Sequence, residues 1–332
     1  EGFRLAQTAA GTTERHFRIA GYAVRICFAG AAMVPFITGP LAHLAAAPSP
    51  APDLTVRCWD SRSSGVLLPA GVGGVEQYIA AQRTGRLGGS SIRAAIRRPD
   101  YGLSMLDPSA SEAIYWLAAA SVPPIGSGSP LLVILAWWMG AHGRQLVHAA
   151  AVGLPGKGGL LLTGGSGSGK STSSLLALQA GMDFAGDDYC LVNTEGPPYV
   201  HSLYSSAKLV AAKVDAGRSP VTLDVPGRLE FEKYIYLLAG SYSGQLVAGM
   251  RLRAVVAPAP SALPEPRLSA LAAGDALRSL APSTLLQVKG LEPGALALMG
   301  RLVSTLPCYR LELGGTPAAI PAALRALLEE GP

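Results

Sequence analysis

Residues 158–188 read GGLLLTGGSGSGKSTSSLLALQAGMDFAGDD, and the fold turns on this stretch. Gly158 to Thr163 is a short apolar run that follows a turn at Leu154 to Gly159, a pattern that predicts a strand. It leads directly into Gly164-Gly165-Ser166-Gly167-Ser168-Gly169-Lys170-Ser171, which fits G-x-x-x-x-G-K-[ST]. Lys170 to Ala180 has the length and the leucines of a helix, and Gly181 suits the left-handed residue that closes one. Met182 to Gly186 then reads as a strand that ends on Asp187 and Asp188.

A glycine loop between a strand and a helix is a phosphate cradle. Glycines let main-chain N–H groups turn inward, and the helix N-terminus favours negative charge. The expected nucleotide contacts are Gly164, Gly165, Ser166, Gly167, Ser168, Gly169, Lys170, Ser171 and Thr172. Lys170 is placed to reach the β- and γ-phosphates of ATP, and the Ser171 hydroxyl to bind Mg²⁺. The competing reading is a flexible Gly/Ser linker; with only six lysines in the chain, one at the motif position argues against it. Adjacent carboxylates at a strand end are costly unless cations compensate. Asp187 and Asp188 are therefore expected beside Lys170 and Mg²⁺, one as a metal ligand and one as acceptor of a hydroxyl proton, with the assignment open. The alternative is a solvated turn or an acidic helix cap. His148, sixteen residues before Gly164, reads by itself as a hydrogen-bonded core residue.

Outward from this core the signals weaken. His16 to Arg25 and Leu54 to Trp59 are β-rich, Gly74 to Arg83 reads as a helix, and Ser121 to Pro130 (SVPPIGSGSP) as a linker. The expected architecture is α/β: a mixed α/β domain over residues 1–125 and a P-loop domain over 126–332. Pro130 opens a predicted helix through Leu131 to Met139, with Trp137 and Trp138 for the core. Gln145 to Val152, Arg253 to Val256 and Tyr309 to Leu313 are predicted strands; Pro293 to Leu306 and Pro317 to Glu330 are predicted helices.

Charged residues are 15% of the 332-residue chain and hydrophobic ones 49%, which excludes a polyelectrolyte-like disordered chain. Mean hydropathy is +0.31, yet the longest apolar runs, Leu131 to Met139 and Ile26 to Thr38, fall short of the ~20 residues that span a bilayer. No membrane partner is expected. Cys27, Cys58, Cys190 and Cys308 are scattered, which suits buried thiols in a reducing compartment, and no secretory pattern is visible; the expected location is cytoplasmic. The net charge of +5 is small for this length, so nucleic acid is not an expected partner. Arg83 to Arg98, with five arginines, reads as a solvated loop, with an acidic peptide or a phosphate-rich partner as alternatives.

His148 to Val192 (HAAAVGLPGKGGLLLTGGSGSGKSTSSLLALQAGMDFAGDDYCLV) resembles the HPr kinase/phosphorylase family, whose fold is shared with phosphoenolpyruvate carboxykinases. The likeness lies in the order and spacing of a histidine, the glycine loop and a strand ending in Asp-Asp. It implies a role in serine phosphorylation for His148, Lys170 and either Asp187 or Asp188, and in Mg²⁺ binding for Ser171. Four further segments look like the HPr-kinase-like tailoring kinases of lasso-peptide gene clusters: HSLYSSAKL (201–209), EKYIYLL (232–238), APSTLLQ (281–287) and PCYRLELG (307–314). That likeness implies phosphorylation of a serine near the C-terminus of a precursor peptide. The bifunctional family's Leu-Glu-Ile-Arg-Gly-type motif is absent, and its region holds Lys208 and Lys213, leaving only Glu230 and Glu232 as further acidic Mg²⁺ ligands. Lys208, Lys233 and Arg253 are cations available for a γ-phosphate or a substrate carboxylate, with an ordinary surface role as the alternative.

The resulting expectation is an ATP- and Mg²⁺-dependent kinase acting on a peptide or small protein, with homo-oligomerisation left open. A nucleotide-binding regulatory module and a small-molecule kinase of the same fold are the alternatives.

Overall fold

The computed structural model describes residues 1–68, 84–86, 91–97, 102–118, 126–193, 195–287 and 294–331. It is α/β with mixed sheets, and contacts divide it into two units, Glu1–Trp138 and Met139–Pro332. The division falls inside a helix, Leu132–Ala141, that covers the helix expected after Pro130. The helix expected at Gly74 to Arg83 and the first part of the Ser121 to Pro130 linker lie outside the described residues.

In the first unit, β1 (Thr12–Ile19) and β2 (Tyr22–Ala29) form an antiparallel hairpin around Ala20 and Gly21, both at positive φ. Two consecutive left-handed residues give the turn whose twist matches the strands it joins. β3 (Leu54–Asp60) lies parallel to β2, and the sheet runs on through β7 (Glu112–Leu117), β6 (Gly102–Asp107), β5 (Arg93–Arg97) and β4 (Thr84–Arg86). The expected loop at Arg83 to Arg98 is thus partly strand: Arg93 to Arg97 pairs with Gly102 to Leu106, and Ile96, Leu103 and Met105 share a face that packs into the core. That face packs Trp59, Trp116 and the helix α1 (Gly2–Ala10) together, and the Trp116 indole N–H donates to Ser61 Oγ at 2.9 Å.

In the second unit a sheet is covered on both faces. β10 (Gly158–Leu162) pairs antiparallel with β9 (Ala150–Leu154) and parallel with β17 (Gly249–Ala259), which in turn lies parallel to β19 (Cys308–Glu312). Leu160 and Leu162 meet Leu175 and Leu178 of the helix Lys170–Gln179, with Ile320 and Leu324 of the helix Ile320–Glu330. Leu161, on the opposite face, meets Ala276 and Leu280 of the helix Ala273–Gln287, and Leu298, Met299 and Leu302 of Ala295–Thr305. A strand buried on both faces reads as an unbroken apolar run, which is why GGLLL carries no alternation.

The expected single strand at Gln145 to Val152 is instead two. β8 (Arg144–Val147) pairs with β12 (Cys190–Asn193), while β9 pairs with β10 and with β11 (Asp183–Gly186). The chain changes neighbours at His148, whose N–H leaves the ladder to donate to Thr284 Oγ1 at 3.0 Å. A smaller sheet of β14 (Ser206–Val210), β16 (Lys233–Leu237) and β15 (Arg228–Glu230) carries Lys208, Lys233 and Glu230. No helix among the described residues is long and apolar enough to cross a membrane.

Candidate functional site

The glycine loop leaves β10 after Leu162 and enters the helix at Lys170, the expected strand-loop-helix context. Gly164, Gly167 and Gly169 sit at φ of +145°, +81° and +102°, where a side chain is strained. Gly169 also lies against Leu313, which leaves no room for a Cβ. The helix ends as expected: Gly181 has φ +80°, its N–H bonds Leu178 O, and Met182 N–H bonds Ala177 O, both at 3.0 Å.

Lys170 is buried, and its ammonium donates to Gly164 O at 2.5 Å and Gly165 O at 3.2 Å, so it lies across the mouth of its own loop. Burial lowers its pKa, and Asp187 and Asp188 oppose that. Ser171 and Thr172 line the same cavity, of about 970 Å³, together with Gly165, Ser166, Gly167 and Gly169. Ser168 turns inward, its Oγ buried against Gly164.

The two acids follow β11 directly and occupy different environments. Asp187 is 1% exposed, and neither carboxylate oxygen closes a hydrogen bond of normal geometry. Burial and then the neighbouring Asp188 raise its pKa, partly offset by the Ser171 hydroxyl, Lys170 and the Lys208 backbone N–H. Two orphaned buried oxygens beside a loop serine fit Mg²⁺, which takes one or two protein carboxylates and completes its shell with phosphate oxygens and water. No cluster of three or more His, Cys, Asp or Glu able to hold a metal by itself occurs among the described residues. Glu230 and Glu232 do line the cavity.

Asp188 is held between two cationic or proton-bearing partners. Its Oδ1 lies 2.9 Å from His148 Nε2, and its Oδ2 accepts from Lys208 Nζ at 2.6 Å. Burial alone would raise its pKa; Lys208 and His148 outweigh burial and hold the carboxyl well below the usual range. The ionised carboxylate can only accept, so His148 donates from Nε2–H, leaving Nδ1 buried without a partner. Lys208 is the complement: burial works to lower its pKa, and Asp188 overcomes that and raises it. The backbone reinforces the arrangement. Asp188 has φ +72°, and the Tyr189 N–H bonds Asp187 O at 2.9 Å, a three-residue turn centred on Asp188. Such a turn is rare and strained, on the order of 1–3 kcal/mol, and strain of this kind gathers at functional sites.

The fold thus brings His148, Lys170, Ser171, Asp187, Asp188, Lys208 and Lys233 to one place. Arg253 is not among them. It is exposed, and its side chain lies against Gly158, at the opposite end of β10 from the glycine loop. Parallel pairing of Leu160 with Ala254 and of Leu162 with Val256 fixes that separation, which a linear reading has no means to supply. Sequence reasoning singled out neither Phe231 nor Arg218, which lie outside every quoted segment, nor Thr284 and Leu313 within theirs; each reaches the site through packing of distant segments.

No family model matches the chain, and no curated protein matches it. Among solved structures, the HPr(Ser) kinase/phosphatase from Coxiella burnetii is similar, at 15% identity and a TM-score of 0.32, over 56% of this chain and 99% of that one.

Proposed function

We propose that the protein is an ATP- and Mg²⁺-dependent kinase that phosphorylates a serine hydroxyl of a peptide or small protein. The observation that carries this reading is the division of labour between adjacent aspartates, Asp188 lining the cavity and Asp187 buried behind it. Asp187 is buried and unpartnered beside Lys170 and Ser171; Asp188 is pinned by His148 and Lys208.

Loop amides and Lys170 bind the triphosphate once the ammonium leaves the Gly164 and Gly165 carbonyls. Ser171 and Asp187 would hold Mg²⁺, which would neutralise phosphate charge. Asp188 orients the acceptor hydroxyl. The hydroxyl oxygen forms a bond to the γ-phosphorus as the bond to the β-γ bridging oxygen breaks; ADP leaves, and the hydroxyl proton passes to Asp188. A carboxylate held at low pKa is a weak base, which suits a loose transition state in which the proton departs late and positioning contributes most. His148 fixes the carboxylate's orientation through Nε2, and Lys170, Lys208 and Lys233 surround the phosphoryl group with positive charge.

A lasso-peptide precursor is the proposed acceptor, with the serine near its C-terminus. Support comes from the four segments quoted above, which in turn contribute Lys208, Lys233, Gln287 and Leu313 to the cavity wall. The same reading places the protein in the cytoplasm, where such a precursor is made.

The test is incubation with Mg²⁺, ATP and serine peptides, read as a mass gain of one phosphate. Lys170→Ala should abolish transfer with the fold intact by circular dichroism. Undiminished phosphopeptide from that variant refutes the assignment.

A further inference from the structure

Resting on the kinase reading, we infer that the outer wall of the cavity is an acceptor subsite, for a peptide that presents an apolar side chain to Phe231 and an acidic group to Lys213 and Arg218. β15 and β16 are joined by the two-residue turn Phe231–Glu232, and Phe231 takes φ +54° while 71% exposed. Glycine or asparagine holds such a corner with little strain, whereas a bulky aromatic does not. Because the ring is exposed, folding gains almost nothing from it in return.

The turn is braced. Ala211 N–H donates to Glu232 O at 2.9 Å, and the Tyr234 hydroxyl donates to Asp215 Oδ1 at 2.9 Å. A rigid frame therefore presents the ring to the cavity, with Val210, 42% exposed, on the same lining. Lys213 and Arg218 complete this wall, joined by a bond from Arg218 N–H to Lys213 O at 2.8 Å. Both side chains are exposed, and neither forms an ion pair with a described residue. Glu230 and Glu232 flank the ring, so an acidic group on the ligand is directed to the Lys213–Arg218 side.

The occupant is the acceptor because of which sheet carries the ring. Its strands also carry Lys208, bonded to Asp188, and Lys233, whose charge is felt at Lys170. This is the side from which the attacking hydroxyl comes. Leu313 stands against the glycine loop instead, and Pro260 and Gln287 line the remainder.

Three synthetic peptides test the inference: one with Phe and Asp near a central serine, one with that Phe replaced by Gly, one with that Asp replaced by Lys. Wild type should show a KM about ten-fold higher for each altered peptide. Phe231→Asn should erase the Phe/Gly difference without lowering Tm, since Asn tolerates the left-handed corner; a ring kept for folding would lower Tm instead. A Lys213→Glu, Arg218→Glu double variant should reverse the Asp/Lys preference. Equal KM values for all three peptides in wild type overturn the inference and leave the kinase reading standing. So does a Phe231→Asn variant whose KM rises for ATP rather than for peptide, which would give the ring to the nucleoside. No phosphate on any peptide with wild type overturns the kinase reading, and the subsite with it.

Discussion

Replacing Lys208 with Met removes one side of the clamp on Asp188 and leaves the carboxylate to His148 alone. The two groups are only 17% and 19% exposed and meet at 2.6 Å. At an effective dielectric constant near 20, a pair at that distance attracts by about 6 kcal/mol. Desolvation of both charges returns roughly half, so the net loss is about 3 kcal/mol, the lower end for breaking a buried pair. In a unit of this size each kcal/mol moves Tm by about 2–4 °C, so Lys208→Met should melt about 6–12 °C below wild type at pH 7. The sign of the pH dependence follows from Asp188, whose folded pKa lies below its unfolded value near 3.9. Its contribution is complete above that unfolded value and is lost as pH falls through the folded one. The gap between wild type and variant should therefore hold from pH 7 to about 4 and close below it. Scanning calorimetry across pH 3–8 is the assay. A gap under about 2 °C at pH 7, or one that widens on acidification, would show that Lys208 does not hold Asp188 in solution.

Asp187 behaves oppositely. Its folded pKa is raised, so the folded state loses stability as pH climbs from the unfolded value through the folded one. Asp187→Asn should equal wild type in melting at pH 3, exceed it at pH 8, and lose about ten-fold or more in Mg²⁺-dependent nucleotide affinity by titration calorimetry. A variant less stable than wild type at pH 8 contradicts the orphaned-carboxylate reading. Gly169→Ala puts a side chain at φ +102° and displaces Leu313, so chemical denaturation should report a loss of about 1–3 kcal/mol together with weakened nucleotide binding. Unchanged values for both would mean that the loop is held less tightly than it stands here.

Residues 158–188 were legible because they are locally consistent. An apolar run, a glycine loop, a leucine-bearing helix closed by Gly181 and a strand ending in two acids all specify their geometry through near neighbours. The single strand expected at Gln145 to Val152 failed for the converse reason: all of it is apolar enough to be strand, and only the Thr284 hydroxyl, supplied from a helix 136 residues later, shows where the ladder breaks. Arg253 and Lys208 make the same point as a pair. Both are cations on strands, equal candidates in the chain, yet one lies against Gly158 and the other bonds Asp188.

The chain by itself specified the strand, glycine loop and helix, because glycine φ preferences and motif spacing act over a few residues. Which aspartate is left unpartnered and which is clamped, and which lysine does the clamping, arose only when β14 was carried to the end of β11. Charge assignments of this kind depend on distance and desolvation between segments remote in sequence, and both come into being only with the tertiary fold.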